Sequence, residues 1–297
     1  MKTYLDCIPC FFRQMIEGAR IIGANPETQK KIVDGFAKKI PKISLESSPP
    51  AIARFGYALL RKASSNGDPY KYIKQKSNRI ALRLYPGLKN KVSNSKDRLL
   101  AAIELAITGN IIDFGVKNSL DVEAELKKIL AYKNKNTNKK TIFHYSEFRR
   151  VLKGAKNILY LADNAGEVVF DRILTEEIKK EYPNMSIIYA VKAGPVINDA
   201  LIEDAGVCGI DKTVRVISNG TNVPGTILGL CSKEFKKIYN NSDMIISKGQ
   251  GNFETLSHEK RPIFFLLMVK CRVVAKETKC KIGDTVLFYN IKKIKNR

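Results

Sequence analysis

The sequence predicts an α/β protein in which an N-terminal helical bundle packs on a mainly parallel, doubly wound sheet. Apolar residues recur at helical spacing through roughly the first 130 residues, for example in the segment 8–22. From Ile142 onward, short β-branched runs alternate with segments long enough for crossover helices, such as Val168 to Glu181. With 297 residues and 44% hydrophobic content, the chain can also bury a full core.

Helix-start signals divide the N-terminal part. Asn25, Pro26 and Glu27 supply an N-cap, a proline at the first helical position and an acid in the first turn, which predicts a helix to about Lys39. Comparable signals stand at Ser48, Asp68, Ser95 and Ser119, and each begins a segment with helical periodicity.

Six strands are predicted after residue 142, and the polar segment 132–141 is predicted to be a linker because it has few apolar groups. The expected domains are therefore a helical domain, 1–131, and an α/β domain with a metal site, 142–297. The predicted strands span 157–162, 186–191, 213–217, 243–247, 263–269 and 285–289.

The net charge of +23 indicates affinity for anions. Between Lys127 and Lys156 there are ten basic residues and one acid, Glu147. Such a stretch is typical of a solvated surface, but it also fits a basic nucleic-acid-binding protein without catalytic activity. That class is kept as the alternative to an enzyme acting on a small phosphorylated molecule.

The sequence gives no sign of a membrane segment. The first residues contain no apolar leader, and the strongest apolar run, 262–269, is too short to cross a bilayer. We therefore expect a cytoplasmic protein with no membrane partner.

Polar oxygen-bearing side chains follow the first two predicted strands at the point where each strand ends. Asp163 and Asn164 follow the first strand, and Asp199 follows the second. Because the carboxyl ends of parallel strands meet at one edge of the sheet, these oxygen ligands are expected to converge and to favour Mg²⁺ or Mn²⁺. Asp and Asn are also common helix N-caps, which is the alternative interpretation.

Lys248 follows the fourth predicted strand and is followed by the glycines 249 and 251. This pattern is typical of an anion-binding turn at the start of a helix. The helix is predicted to begin near Phe253. The chain contains no GxxxxGK[ST], GxGxxG or GxSxG motif, which disfavours nucleotide hydrolysis, dinucleotide binding and serine hydrolysis. The pair Cys7 and Cys10 fits half of a zinc site, completed by a distant thiol such as Cys271, a redox pair, or simple packing.

Six ordered segments together resemble the metal-dependent damage-control phosphatase family, also called ARMT-like, and in particular its compact archaeal branch. The resemblance covers nearly the whole chain and implies a helical domain packed on a Rossmann-like α/β domain. The segments are CIPC at 7–10, GNIID at 109–113, DNAGE at 163–167, KAGPVIND at 192–199, SNGTNVPGT at 218–226 and KGQGNFE at 248–254.

This resemblance implies a metal-dependent phosphomonoesterase that hydrolyses sugar phosphates or phosphopantetheine-like metabolites. The implied cofactor is a divalent cation, Mg²⁺, Mn²⁺, Co²⁺ or Ni²⁺. The expected metal ligands are Asp163, Asn164 and Asp199, and the candidate catalytic residues are Asp163, Lys248, Glu167 and Glu254. The candidate substrate-binding residues are Asn110, Lys192, Lys248, Gly249, Gly251 and Asn252.

Within these assignments, Lys248 is expected to contact phosphate, whereas Glu167 and Glu254 are expected to orient water or sugar hydroxyls. Attack by activated water and an aspartyl-phosphate route through Asp163 are both open. Water is favoured, because the segment Asp163-Asn164-Ala165 lacks the second aspartate of a DxD pair. The oligomeric state is not indicated by the sequence.

Overall fold

The computed structural model describes residues 1–64, 67–109 and 142–291. The predicted linker 132–141, Asn110 and the predicted helix start at Ser119 lie outside these ranges. The described helices are α1 (Ile8–Ile21), α2 (Pro26–Ala37), α3 (Pro49–Ala63), α4 (Lys71–Ser93), α5 (Arg98–Thr108), α6 (Tyr145–Gly154), α7 (Glu167–Glu181), α8 (Ile202–Cys208), α9 (Lys233–Asn241), α10 (Gln250–Leu256) and α11 (Arg272–Thr278). The strands are β1 (Asn157–Leu161), β2 (Ser186–Val191), β3 (Arg215–Ser218), β4 (Met244–Lys248), β5 (Ile263–Met268) and β6 (Thr285–Tyr289).

The six strands form one sheet in the order β3-β2-β1-β4-β5-β6. Strands β1 to β5 are parallel, and β6 pairs antiparallel with β5. This order is that of a doubly wound sheet, in which the strand order reverses between β1 and β4. The mainly parallel α/β class is therefore confirmed, and all six predicted strands are present with ends within two residues of those expected.

Helices cover both faces of the sheet. On one face, Tyr160 and Tyr189 lie in a buried cluster with side chains of α4 to α8. On the other face, Leu159 and Leu161 pack with side chains of α9, α10 and α11. Burial on both faces explains why the strands are almost continuously apolar instead of alternating.

The N-terminal helices do not form a single layer. Helices α1 to α3 enclose their own cluster, which includes Met15, Phe36 and Leu60 and receives Val196 from the segment after β2. Helices α4 and α5 instead share the core of the sheet. The domain boundaries 1–131 and 142–297 therefore stay a prediction.

The described helix starts follow their sequence signals with two shifts, one of which moves the start predicted at Asp68 to α4, whose N-cap is Tyr70. Asn25 caps α2, since its Oδ1 accepts from the Thr28 amide at 2.8 Å. Helix α5 is capped by Asp97, whose Oδ1 accepts from the Leu100 amide at 2.9 Å, and not by Ser95. No helix within the described ranges is long and apolar enough to cross a membrane.

Candidate active site

Backbone hydrogen bonds join the turn after β1 to the segment after β2. The Ala165 amide donates to the Asn198 carbonyl and the Ala200 amide to the Asp163 carbonyl, both at 2.9 Å. Between these bonds, Asn164 and Asp199 pair as an isolated antiparallel bridge. The three predicted metal ligands, Asp163, Asn164 and Asp199, are thereby held together at the carboxyl edge of the sheet.

The charges at this edge are crowded. Burial, together with the negative charges of Glu167 and Asp199, raises the pKa of Asp163 well above its usual range. Burial also raises the pKa of Asp199 to about 6, although the Lys192 ammonium at 3.5 Å opposes the shift. Carboxylates that repel one another in this way, with an amide oxygen beside them, form an oxygen-only donor set that suits a hard divalent cation.

Among residues 1–64, 67–109 and 142–291, no three His, Cys, Asp or Glu side chains form a closed metal-binding group. The set at the sheet edge has two carboxylates, and its third member is the carboxamide of Asn164. Asn164 Nδ2 donates to Glu167 Oε1 at 2.8 Å and to Asp163 Oδ2 at 3.1 Å, which leaves its Oδ1 as the available donor oxygen. The assignment of the three ligands stays a prediction.

Gly249 packs directly against the Asp163 carboxyl group. Its φ of +79° is unfavourable for residues with a side chain, and a Cβ added there would overlap the Asp163 carboxylate. Gly249 is also the N-cap of α10, which begins at Gln250 and so starts earlier than predicted. The glycine makes room for a predicted metal ligand.

Lys248 is fully buried beneath the site and does not line the cavity described below. Its Nζ donates to Asp171 Oδ1 at 2.7 Å and to Glu167 Oε2 at 3.0 Å. Burial alone lowers the pKa of Lys248, but the charges of Asp171 and Glu167 outweigh this effect and raise it. The ammonium is thus engaged by two carboxylates, and its contact with phosphate stays a prediction.

Two further predicted substrate-binding residues lie inside the protein. Lys192 Nζ contacts the Gly225 carbonyl oxygen as well as Asp199. Asn252 donates through Nδ2 to the carbonyls of Ala162 and Lys248, and its Oδ1 accepts from Thr226. In this structure, both side chains tie the loops of the site together.

A cavity of about 540 Å³ lies over the carboxyl edge of the sheet. Of the residues predicted for the site, it is lined by Asp163, Asn164, Asp199, Gly251 and Glu254. Glu167, Lys192, Lys248, Gly249 and Asn252 lie outside its lining, and Asn110 lies outside the described residues.

The cavity also contains two basic residues that the sequence analysis missed, Lys270 and Arg272. They follow β5, which ends at Met268, and the positive charge of Lys270 opposes the rise in the Asp163 pKa. The signal was present in the sequence, since β5 is another parallel strand whose carboxyl end meets the same edge.

Glu254 lines the same cavity from α10. Burial raises the pKa of Glu254 to about 7, while a hydrogen bond from Gln250 Nε2 at 2.8 Å works against this shift. A carboxyl group with a pKa near neutrality can both hold and release a proton at physiological pH.

The opposite wall comes from the N-terminal helices. It is mostly apolar, but it includes Asp6 and a hydrogen bond at 3.0 Å from the Tyr57 hydroxyl to Gln14 Oε1. The apolar members contributed by α1 and α3 are Phe11, Pro49, Pro50, Ala53 and Tyr57.

The three cysteines considered for a zinc site also reach this cavity. Cys7, Cys10 and Cys271 all line it, and all three are free thiols. Cys271 Sγ accepts from the Val274 amide at 3.5 Å, and burial raises the pKa of Cys7. A zinc site at these thiols stays a prediction.

Comparison with known proteins extends these observations. The family model described as "Damage-control phosphatase ARMT1-like domain" matches residues 3–286. The damage-control phosphatase PH1575 of Pyrococcus horikoshii is 38% identical over 293 residues, covering 98% of this chain and 99% of that protein. A damage-control phosphatase of Archaeoglobus fulgidus is 35% identical over 291 residues, with 96% and 98% covered.

Structural comparison gives the same result. The crystal structure of a DUF89 family protein from P. horikoshii, PH1575, has a TM-score of 0.88 with this chain at 37% identity, covering 98% of this chain and all of that one. The fold and the family match together place the chain in a class of α/β phosphatases. The chain belongs to the damage-control phosphatase family with the ARMT1-like domain.

Proposed function

We propose that the protein is a metal-dependent phosphatase of small phosphate monoesters, such as sugar phosphates or phosphopantetheine-like metabolites. The observation that carries the proposal is the convergence of Asp163, Asn164 and Asp199 on a cavity that also holds Lys270 and Arg272. Family membership supports phosphatase activity on small phosphorylated metabolites. The comparisons give no support to the alternative of a nucleic-acid-binding protein without catalytic activity.

Two carboxylates and one amide oxygen would hold the cation. A divalent cation bound there supplies Lewis-acid stabilisation of a phosphoryl oxygen. Hard oxygen ligands accept Mg²⁺ and Mn²⁺ readily, and Co²⁺ and Ni²⁺ remain candidates.

Lys270 and Arg272 would bind the phosphoryl group. They lie at the end of β5 on the cavity wall, and the charge of Lys270 already acts on Asp163. A fixed cation close to the transferred group stabilises the negative charge that its oxygens carry in the transition state. Lys248, beneath the same edge, would act through the carboxylates that it contacts.

Glu254 would act as the general acid that donates a proton to the leaving oxygen. It lines the cavity with a pKa of about 7, so its protonated form is well populated at neutral pH. The apolar wall of α1 and α3 would hold the organic part of the ester and exclude water from it.

The proposal is tested by measuring metal binding and phosphate release together. Asp163→Ala and Asp199→Ala should each abolish calorimetric Mn²⁺ binding and lower metal-dependent phosphate release at least about 100-fold, because each removes a charged ligand. The substrates are a panel of small phosphate esters, assayed with Mg²⁺, Mn²⁺, Co²⁺ and Ni²⁺ and with a chelator.

Asp34→Ala is the matched control, because Asp34 pairs with Lys30 on the exposed face of α2. It should keep wild-type metal affinity and activity. Unchanged Mn²⁺ affinity in both site variants would refute the proposed metal site. Salt-sensitive binding of nucleic acid that is independent of both aspartates, without phosphatase activity, would instead support the alternative class.

A further inference from the structure

A chain of hydrogen-bonded polar side chains runs from the core of the sheet to the predicted metal ligands. At its inner end, Tyr160 and Tyr189 each donate a hydroxyl hydrogen bond of 2.7 Å to Asp171, one to each carboxylate oxygen. Asp171 Oδ1 also accepts from Lys248 Nζ at 2.7 Å. All four side chains are fully buried.

The outer end of the chain reaches the site. Lys248 Nζ contacts Glu167 Oε2 at 3.0 Å, and the other oxygen, Oε1, accepts from Asn164 Nδ2 at 2.8 Å. This bond places the amide nitrogen of Asn164 towards Glu167 and leaves the carboxamide oxygen as the atom that can bind a cation. Each group in the chain is oriented by the one beneath it.

We propose that Asp171 is a positioning residue that sets the orientation of the Asn164 carboxamide through Lys248 and Glu167. The inference rests on the proposed function, since it assigns Asn164 a role as metal ligand. Asp171 does not line the cavity, and hydrogen bonds connect it to the site through Lys248 and Glu167.

Because the hydrogen-bonded side chains of Asp171, Lys248 and Glu167 are buried, loss of one charge strongly affects the position of its partner. A buried ammonium is tolerated where carboxylates surround it, and loss of one partner shifts it towards the other. Without the Asp171 charge, Lys248 is held by Glu167 alone and draws that carboxylate away from Asn164. Loss of such indirect support to a metal ligand weakens metal binding about 10- to 100-fold in known sites.

The test compares Mn²⁺ binding in metal-free protein by calorimetry. Asp171→Asn keeps the size of the side chain and removes its charge, and its Kd should rise at least about 10-fold. Tyr160→Phe and Tyr189→Phe each remove one hydroxyl from Asp171 and should raise the Kd about threefold. In activity assays, the Mn²⁺ concentration for half-maximal rate should rise in the same order.

Tyr239→Phe is the matched control. Tyr239 is buried on the other face of the sheet, and its hydroxyl has no hydrogen-bond partner among the described residues. This variant should bind Mn²⁺ like the wild type. A role in folding alone would lower the melting temperature of the Asp171 and tyrosine variants but leave their Mn²⁺ affinity unchanged.

The outcomes separate this inference from the proposed function. If the wild type binds Mn²⁺ and Asp163→Ala does not, wild-type affinity in Asp171→Asn overturns the positioning role alone. If the wild type binds none of Mg²⁺, Mn²⁺, Co²⁺ and Ni²⁺, both proposals fail. Should Asp171→Asn not fold, the two Phe variants decide, because they retain the carboxylate, and wild-type affinity in both overturns the inference.

Discussion

The α/β part and the N-terminal helices contribute unlike walls to the same cavity. The strand ends and α10 bring carboxylates and cations, whereas α1 and α3 bring aromatic rings and prolines. The polar exceptions on the N-terminal side are Gln14 and, just before α1, Asp6. Charged groups at the strand ends are fixed by backbone pairing and by buried partners. The helical wall is held by the apolar cluster of α1 to α3 and by the hydrogen bond from Tyr57 to Gln14. We infer that the first wall performs the chemistry and the second selects the substrate.

The largest effect is expected from a substitution at Gly249. This residue packs against Asp163 in the wall formed by the strand ends and α10, here called the charged wall. In Gly249→Ala, the new Cβ would overlap the Asp163 carboxyl group at a φ of +79°, so Asp163 must move. We expect Mn²⁺ affinity to fall at least about 100-fold, because a predicted ligand itself is displaced, and the free energy of unfolding to fall by about 1–3 kcal/mol. Calorimetry and urea denaturation measure the two effects.

Gly283→Ala controls for the backbone strain in that experiment. Gly283 has a φ of +92°, but a Cβ added there meets nothing within 4 Å. Gly283→Ala should lower the free energy of unfolding by about 1–2 kcal/mol, which is the strain of a left-handed residue, and should leave the metal affinity unchanged. Equal metal affinities in the two alanine variants would show that Asp163 does not depend on the space beside Gly249.

A smaller effect is expected where the charged wall meets the helical wall, at Glu254. Its pKa in the folded protein is about 7, against an ordinary value of 4.5. The folded state therefore binds more protons than the unfolded state between these two values, and the free energy of unfolding must decrease as pH rises through this window. The loss is complete above pH 7.

Glu254→Gln should remove that dependence. Urea denaturation at pH 5 and pH 8, with chelator present, should show the wild type losing on the order of 2 kcal/mol more than the variant. The variant should also lose about 100-fold in kcat, because an amide cannot transfer the proton. Parallel stability profiles in the two proteins would contradict the raised pKa.

The strands and the approach of the charged groups at their ends could be predicted from the sequence. The strands were recognisable because local apolar runs and turn residues delimit them. The approach of Asp163 to Asp199 followed from the rule that parallel strands end at one edge. Both inferences need only the order of elements along the chain.

The carboxylates that contact Lys248 could not be predicted from the order of elements alone. Asp171 lies one helical turn after Glu167 on α7, a spacing that places both carboxylates on one helix face. The sequence could not show that this face turns towards β4 and away from solvent. For the same reason, the approach of α1 and α3 to the sheet edge, which creates the apolar wall, was not predicted, since it depends on how helices dock in three dimensions.

The smallest expected effect tests the helical wall itself. Gln14 lines the cavity from α1 and is not one of the predicted metal ligands, so Gln14→Ala should remove a contact made equally in the bound substrate and in the transition state. Such a loss raises KM and leaves kcat unchanged. One hydrogen bond corresponds to an increase in KM of about two- to tenfold.

Gln29→Ala, which removes a side-chain hydrogen bond to the Ala24 carbonyl outside the cavity, is the control and should leave both constants unchanged. Steady-state kinetics on the best ester of the panel measure both constants. A fall in kcat with constant KM would place Gln14 in the chemical step and would remove the division between a catalytic wall and a selective one.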